Sequence, residues 1–437
     1  MGAANHSQPK SANVGQKVDR YEFLASHDGI LCFGGEDWWY HNRAHFDMQV
    51  MRCLAQRTPV LFANSVGFRM PSVKEGTQFL HRIGRKLRSM ARSLNNPLAG
   101  LYVVSLLSVP LWHRRFFANL NVLSLEFQAR RACRLTGIKH PLLWVACPTA
   151  FEVVKRMKGN AFLVYQRTDK FEEYSEQTQK YLIAADRWLS AHANLVLYVS
   201  TVLYEEERER NPNSLLVRHG VELDHFDPDK AVKEGIPKDL ANIKRPIVGF
   251  FGEIEDDTVD MALIGEAVRA LPNVSFVFLG RLIADPAPVH GIPNVYFLGK
   301  KPYEEVPQYG AQFDLAIMPL KQNRWKYYSN PIKLREYLAL GLPIVSAEFS
   351  EAANYRDVIY VAHNSEDFIQ GIREALEGHG VGSVESRRAR VSGNTWEQTA
   401  LYIAETIDKV ADQSRRHGRS CGLENSSICR NSAGTLR

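Results

Sequence analysis

Short apolar runs alternate with helix-length segments along almost the whole chain, and few folds can accommodate that alternation. Residues 30–33, 60–63, 101–106, 142–146, 162–165 and 195–199 read as buried strands, separated by helix-like runs such as 115–135 and 172–189. A second series occupies 246–251, 274–279, 295–298, 315–318, 344–346 and 358–361, with helices expected over 259–271, 302–313 and 366–376. Strands apolar at consecutive positions need cover on both faces, and helices repeating between them supply it in a parallel, doubly wound sheet. Two such series in 437 residues exceed one ordinary core and predict two domains. The expected plan is a disordered leader over 1–19, a first domain over 20–222 and a second over 223–411. A closing amphipathic helix is expected over 394–411, followed by a disordered tail over 412–437.

Composition narrows the class. Hydrophobic content of 45% and charged content of 23% are those of a soluble globular chain, and the net charge of +6 is modest. Residues 1–19 are polar and carry no apolar segment of signal-peptide type. The longest uncharged apolar run, 98–112, is too short to span a bilayer and contains Pro110, so a buried strand is expected there. None of the six cysteines forms a C-x-x-C pair. Cys32, Cys53, Cys133 and Cys147 lie in apolar surroundings and read as reduced structural thiols of a cytosolic protein, whereas Cys421 and Cys429 lie in the polar tail.

The most informative local stretch is residues 328–346. Ser329 or Asn330 can cap a helix opening at Pro331, while Gly341 and Pro343 close it ahead of a buried strand. A helix start of this kind favours an anion in front of it, and Lys333 would reinforce the effect. Glu336 shares a helix face with Lys333, and its carboxylate can accept hydrogen bonds from two ribose hydroxyls. The same two residues would also serve as a solvated ion pair on a crossover helix.

The run Ser-Asn-Pro-Ile-Lys-Leu-Arg-Glu-Tyr-Leu-Ala-Leu-Gly-Leu-Pro-Ile-Val resembles the donor-binding helix of GT-B glycosyltransferases, in particular the family 4-like group that builds bacterial surface polysaccharides. The resemblance implies two Rossmann-like domains facing a cleft, with the closing helix crossing back to the first domain. It implies that Lys333 and the helix start, with Ser329 and Asn330, hold the donor diphosphate, and that Glu336 binds the ribose. Lys333 and Glu336 are accordingly the candidate catalytic residues. Many members carry a second Glu upstream, at the position that here is Tyr328. The glycine turn at Gly252 would lie beside the donor phosphates. Because the following residues 253–257 are acidic, Lys333 and Arg281 would supply the positive charge, and Tyr303 would border the nucleotide base.

Acceptor-side candidates lie in the first series. Gly34-Gly35 breaks the first strand where open α/β sheets bind ligands, and the loop after it is dense in aromatic and basic residues, with Trp38, Arg43 and His45 as candidates. That loop could equally pack on its own aromatics. Asp169 matches an acidic position at the family's cleft mouth, where it would hold an acceptor hydroxyl or simply cap a helix. Residues 78–94 form a basic amphipathic segment. Its Arg82, Arg85, Lys86 and Arg88 suit either contact with anionic lipid or a solvated side of a helix packed on the sheet. Asp227-Pro228-Asp229 has the spacing of a metal site, but its proline and position in a linker favour a turn.

The reading is therefore a glycosyltransferase moving a sugar from a nucleotide diphosphate sugar to a lipid-linked or saccharide acceptor in envelope or exopolysaccharide synthesis. By resemblance it would be retaining and metal-independent and use no cofactor beyond the nucleotide sugar. No RNP, zinc-knuckle or helix-turn-helix signature accompanies the basic charges, so no nucleic acid is expected. The expected location is the cytoplasm, with the inner face of the plasma membrane as an option. A nucleotide-sugar epimerase of the same architecture and a non-catalytic GT-B-like scaffold are the alternatives.

Overall fold

The computed structural model describes residues 27–40, 45–65, 94–109, 115–173 and 179–431. The leader, Arg43, and the 78–93 part of the basic segment with Arg82, Arg85, Lys86 and Arg88 lie outside them.

The first strand series forms one eight-stranded sheet. Its members are β1 (Gly29–Phe33), β2 (Val60–Ala63), β3 (Asn95–Leu98), β4 (Leu101–Val104), β5 (Pro141–Val145), β6 (Leu163–Arg167), β7 (Leu195–Tyr198) and β8 (Ser214–Leu216), in the order β3-β4-β2-β1-β5-β6-β7-β8. All pairs are parallel except β3 with β4. The second series forms a six-stranded parallel sheet of β9 (Ile247–Phe251), β10 (Ser275–Leu279), β11 (Val295–Gly299), β12 (Leu315–Met318), β13 (Ile344–Ala347) and β14 (Tyr360–Ala362), in the order β11-β10-β9-β12-β13-β14. In each sheet the order reverses beside the first strand, between β1 and β5 and between β9 and β12. A crevice opens at such a point beyond the carboxyl ends of the strands.

Period-2 geometry explains why these strands are apolar throughout. Ile30 and Cys32 point into one layer with Phe46, Val50 and Met51, whereas Leu31 and Phe33 point into the opposite layer with Leu125, Val154 and Leu189. In the second sheet Val248 and Phe250 face one layer and Ile247 and Phe251 the other. Each fully buried aliphatic or aromatic side chain contributes on the order of 1.5–3 kcal/mol, so both faces of both sheets are committed to core.

Several expected elements differ in extent. The 98–112 run is no single buried strand. Gly100, at φ +77°, turns it into a β3–β4 hairpin, where a side chain would meet the Ala55 carbonyl, and Leu107 and Val109 are exposed. Of the 172–189 helix the described residues show a 3-10 turn, Phe171–Glu173, and the helix Gln179–His192. The 302–313 helix is divided into Tyr303–Glu305 and Val306–Gly310, following Pro302 and including Pro307. Asp227 caps the Pro228–Lys233 helix by accepting from the Asp229 N–H, which accounts for that motif locally. No disulfide joins Cys32, Cys53, Cys133 and Cys147.

The closing helix, Trp396–Asn431, extends through much of the segment expected to be disordered. Its Trp396, Ala400, Ile403, Ala404 and Ile407 are buried with Phe46, Val50 and Leu54 of the first sheet's layer, so the chain crosses back as expected. Gly220 makes that return possible: a Cβ there would lie 2.5 Å from the Trp396 backbone nitrogen.

Candidate active site

The glycine loops after β1 and β9 face each other. Burial pushes the Glu36 carboxyl up; His45 opposes the shift, and Asp47, Glu253 and Glu255 reinforce it, the latter two lying on the opposite loop. The Gly35 N–H donates to Asp47 at 2.8 Å, fixing the first loop.

Lys333 and Glu336 occupy the Lys333–Ala339 helix, whose end is set by Gly341 at φ +74° with paired Gly341→Leu338 and Leu342→Tyr337 backbone bonds. The Phe251 N–H donates to the Tyr337 hydroxyl at 3.0 Å, tying this helix to the end of β9 immediately before Gly252. Gly252, at φ +133°, is the cradle: a Cβ there would sit 2.6 Å from Lys333 Nζ. The ammonium instead lies 4.2 Å from the centroid of the Phe250 ring. Burial brings it down to about 7, Lys326 adds to the shift, and Glu336, Glu253 and Glu255 oppose it. Glu336 is 6% exposed, and burial raises its carboxyl to about 8, with Lys333 opposing and Glu222 reinforcing. Among the described residues neither head group has a hydrogen-bonding partner. A desolvated cation and a desolvated carboxylate, both without partners on one helix face, are equipped for a ligand carrying negative charge and hydroxyl donors.

This geometry predicts an unusual pH dependence. The raised carboxyl favours the fold fully below its ordinary value of 4.5, and that contribution is lost as pH rises toward 8. Glu336→Gln is therefore expected to stabilise the unliganded protein at pH 8 by about 1–3 kcal/mol and to do little at pH 4.5. Thermal melts at both pH values check this; an equal effect at both would place the carboxyl in an unperturbed environment.

The structure corrects the roles expected for several neighbours. Ser329 and Asn330 do not cap the helix, which has Ile332 at its N-cap and no side-chain cap. Ser329 Oγ donates to the Lys326 carbonyl. Asn330 Nδ2 donates to the Val199 carbonyl and to Glu351, while Glu351 also accepts from the Thr201 N–H, so this corner fastens the second sheet's segment to the first. Arg281 is engaged with Glu253 through both Nε and a terminal nitrogen, and this pairing offsets its charge. Tyr303 is buried, stacked on His225 at 4.5 Å and packed on Phe226, which leaves its ring no face for a base. Trp38 packs edge-on against Phe62 of β2 at 5.1 Å, with its backbone N–H on Asn64, so this aromatic of the loop is engaged with the first sheet's core.

His45 and Asp169 are both half-buried and lie within electrostatic reach of each other. Burial raises the Asp169 carboxyl against the opposing charges of Lys326, Arg167 and His45, so two acceptor-side candidates, Asp169 and His45, share an environment with Lys326 of the second domain. Lys326 was not among the sequence candidates. Burial lowers its ammonium, Asp169 and Glu255 oppose that shift, and it contributes in turn to the depression of Lys333. Its signal in the sequence was only a Lys two residues before Tyr328. Tyr328 itself turns away from the Lys333–Glu336 pair: its hydroxyl donates to Glu206 at 3.0 Å, Lys170 Nζ lies 3.8 Å from its ring centroid, and it is buried in the first sheet's core.

Residues 245–378, which carry Gly252, Lys333 and Glu336, match the model of the family "Glycosyl transferases group 1". TuaH of Bacillus subtilis (strain 168), named as a teichuronic acid biosynthesis glycosyltransferase, is 26% identical over 243 residues, covering 50% of this chain. The match spans 57% of the length of that relative. Sucrose-phosphate synthase from Thermosynechococcus elongatus superimposes with a TM-score of 0.67 at 14% identity, over 88% of this chain and 100% of that one. Anabaena HepE in complex with UDP and glucose gives 0.61 at 15% identity, over 87% and 100%. The two facing sheets are thus the GT-B fold.

Proposed function

We infer that this chain, a GT-B protein whose residues 245–378 match the group 1 glycosyl transferases, moves a sugar from a nucleotide diphosphate sugar to a lipid-linked or saccharide acceptor. The observation that carries this reading is the unpartnered Lys333–Glu336 pair beside Gly252. The donor diphosphate lies against Lys333, with Lys326 as a second cation, and the ribose hydroxyls donate to Glu336. Bond cleavage at the anomeric carbon places negative charge on the leaving diphosphate, and a preformed ammonium in a desolvated site stabilises it at little reorganisation cost. The acceptor hydroxyl approaches from the His45 and Asp169 side. Its proton passes to the leaving phosphate on the same face, which retains the configuration and requires neither a metal nor a dedicated protein base. The names of TuaH and of the HepE complex, with its UDP, support a polysaccharide product and a uridine nucleotide. Envelope glycan synthesis at the inner face of the plasma membrane fits this reading. No helix among the described residues is long and apolar enough to cross a membrane.

Tyr328 favours one other reading. It places no carboxylate at the sugar and is spent on Glu206 and Lys170, as in a non-catalytic scaffold. Thermal shifts with UDP, GDP and ADP and their sugars, in EDTA, separate the two. Stabilisation by one nucleotide, lost in Lys333→Ala and Glu336→Ala, is expected; no shift with any nucleotide would make the scaffold the better account.

A further inference from the structure

The Arg115–Leu135 helix buries one side under the first sheet through Val122, Leu125, Ala129 and Cys133. Its opposite side is also apolar. Phe116 is 73% exposed and Phe127 58%, with Leu120 and Leu123 exposed between them. Stepping 100° per residue, these four and Arg130, Arg131 and Arg134 fall within an arc of about 100°. The stripe thus changes from aromatic and aliphatic to basic along a single face. The neighbouring acid, Glu126, is held by Arg130 at 3.1 Å and Arg156 at 2.6 Å, which keep its carboxyl below the usual range.

The chain beside this face is adapted to lie against something dry. Leu107 and Val109 are exposed, yet their backbone groups are paired: Gln128 accepts from the Leu107 N–H and donates to its carbonyl, and Asn121 does the same for Val109. Two amides on the helix therefore replace water for the N–H and C=O groups of Leu107 and Val109, whose apolar side chains stay exposed. A surface that leaves water must satisfy its backbone in this way. A helix between parallel strands β4 and β5 runs back along the sheet, so Phe116 lies toward the carboxyl edge, where the Gly35 loop opens.

We propose that this face docks the protein on an anionic lipid bilayer, with Phe116, Leu120, Leu123 and Phe127 entering the interface and Arg130, Arg131 and Arg134 against the headgroups. Charge complementarity selects this occupant, since exposed phenylalanines beside basic residues match a negatively charged leaflet. The proposal rests on the lipid-linked form of the acceptor reading, because it brings the first domain's cleft to a membrane-anchored substrate.

The test is sedimentation of the full chain with phosphatidylcholine vesicles, with and without phosphatidylglycerol. Wild type is expected to bind only the anionic vesicles. Phe116→Ser with Phe127→Ser, and separately Arg130→Gln with Arg131→Gln and Arg134→Gln, should each lower the partition coefficient about tenfold or more. Unchanged melting temperature and unchanged UDP stabilisation would show that the variants are folded. Failure of wild type to bind, or binding unchanged in both variants, overturns the proposal. So does a Phe→Ser variant that alters only the sedimentation coefficient of the free protein, which would make this a self-association face. Vesicle binding without any nucleotide response would leave the docking face standing and sink the transferase reading instead.

Discussion

Replacing Lys333 by methionine is expected to lower turnover about 10²–10³-fold, the usual cost of removing one preorganised charge from a developing anion. The methionine keeps the aliphatic packing over Phe250 and within the Gly252 cradle while deleting the charge. Because the unliganded ammonium titrates near 7, donor binding should draw in a proton at pH 8, as the diphosphate restores the cation. Calorimetry of nucleotide binding in buffers of different ionisation enthalpy would read that uptake in wild type and its loss in Lys333→Met. Turnover within a few-fold of wild type would remove Lys333 from the reaction.

Arg167→Leu is expected to cost about 3–5 kcal/mol, enough to lower the melting temperature by about 10 °C. Arg167 is fully buried and faces Glu172 at 2.9 Å, Asp186 at 3.1 Å and Glu207 at 3.2 Å, and a terminal nitrogen donates to the Asp169 carbonyl at 2.9 Å. The three carboxylates approach one another closely enough to resemble a metal site, but the Arg167 guanidinium lies among them and Arg210 adds a second cation 3.1 Å from Asp186 and 3.2 Å from Glu207. Removal of Arg167 would leave Glu172 without this cation, leave Asp186 and Glu207 to Arg210, and free the Asp169 carbonyl. The deficit should narrow as pH falls, because orphaned carboxylates can take up protons, and burial already raises that of Asp186. Denaturant unfolding at pH 8 and pH 5 checks this; a loss below about 1 kcal/mol at both would make the network energetically minor.

The parts legible in advance were those with a strong local cause. Consecutive apolar residues at 247–251 and 30–33 specify strands buried on both faces, and both are central strands of parallel sheets. Gly341 ends its helix because only a residue tolerant of positive φ fits there. The missed boundaries have equally local reasons, since Gly100 and Pro307 interrupt runs whose hydrophobicity alone suggested continuity. Side-chain destinations were less legible. Ser329, Asn330, Tyr303 and Arg281 have residue types suited to a ligand, yet each finds a protein partner: the Lys326 carbonyl, Glu351, His225 and Glu253. A motif specifies which groups are available, and competition among neighbours decides which remain free.

Sequence by itself determined the two αβ series, the helix that carries Lys333 and Glu336 with its glycine end at Gly341, and the closing helix, because hydrophobic periodicity and turn chemistry act over a few residues. Tertiary structure alone decided that the Lys333 and Glu336 head groups have no hydrogen-bonding partner among the described residues, that Lys326 lies near them from another turn, and that Tyr328 belongs to the first sheet's core. It also decided that one face of the Arg115–Leu135 helix meets the sheet while the other, apolar in sequence as well, is exposed. The physical reason is common to all of these: desolvation and charge depend on distances between residues far apart in the chain, and only packing sets those distances.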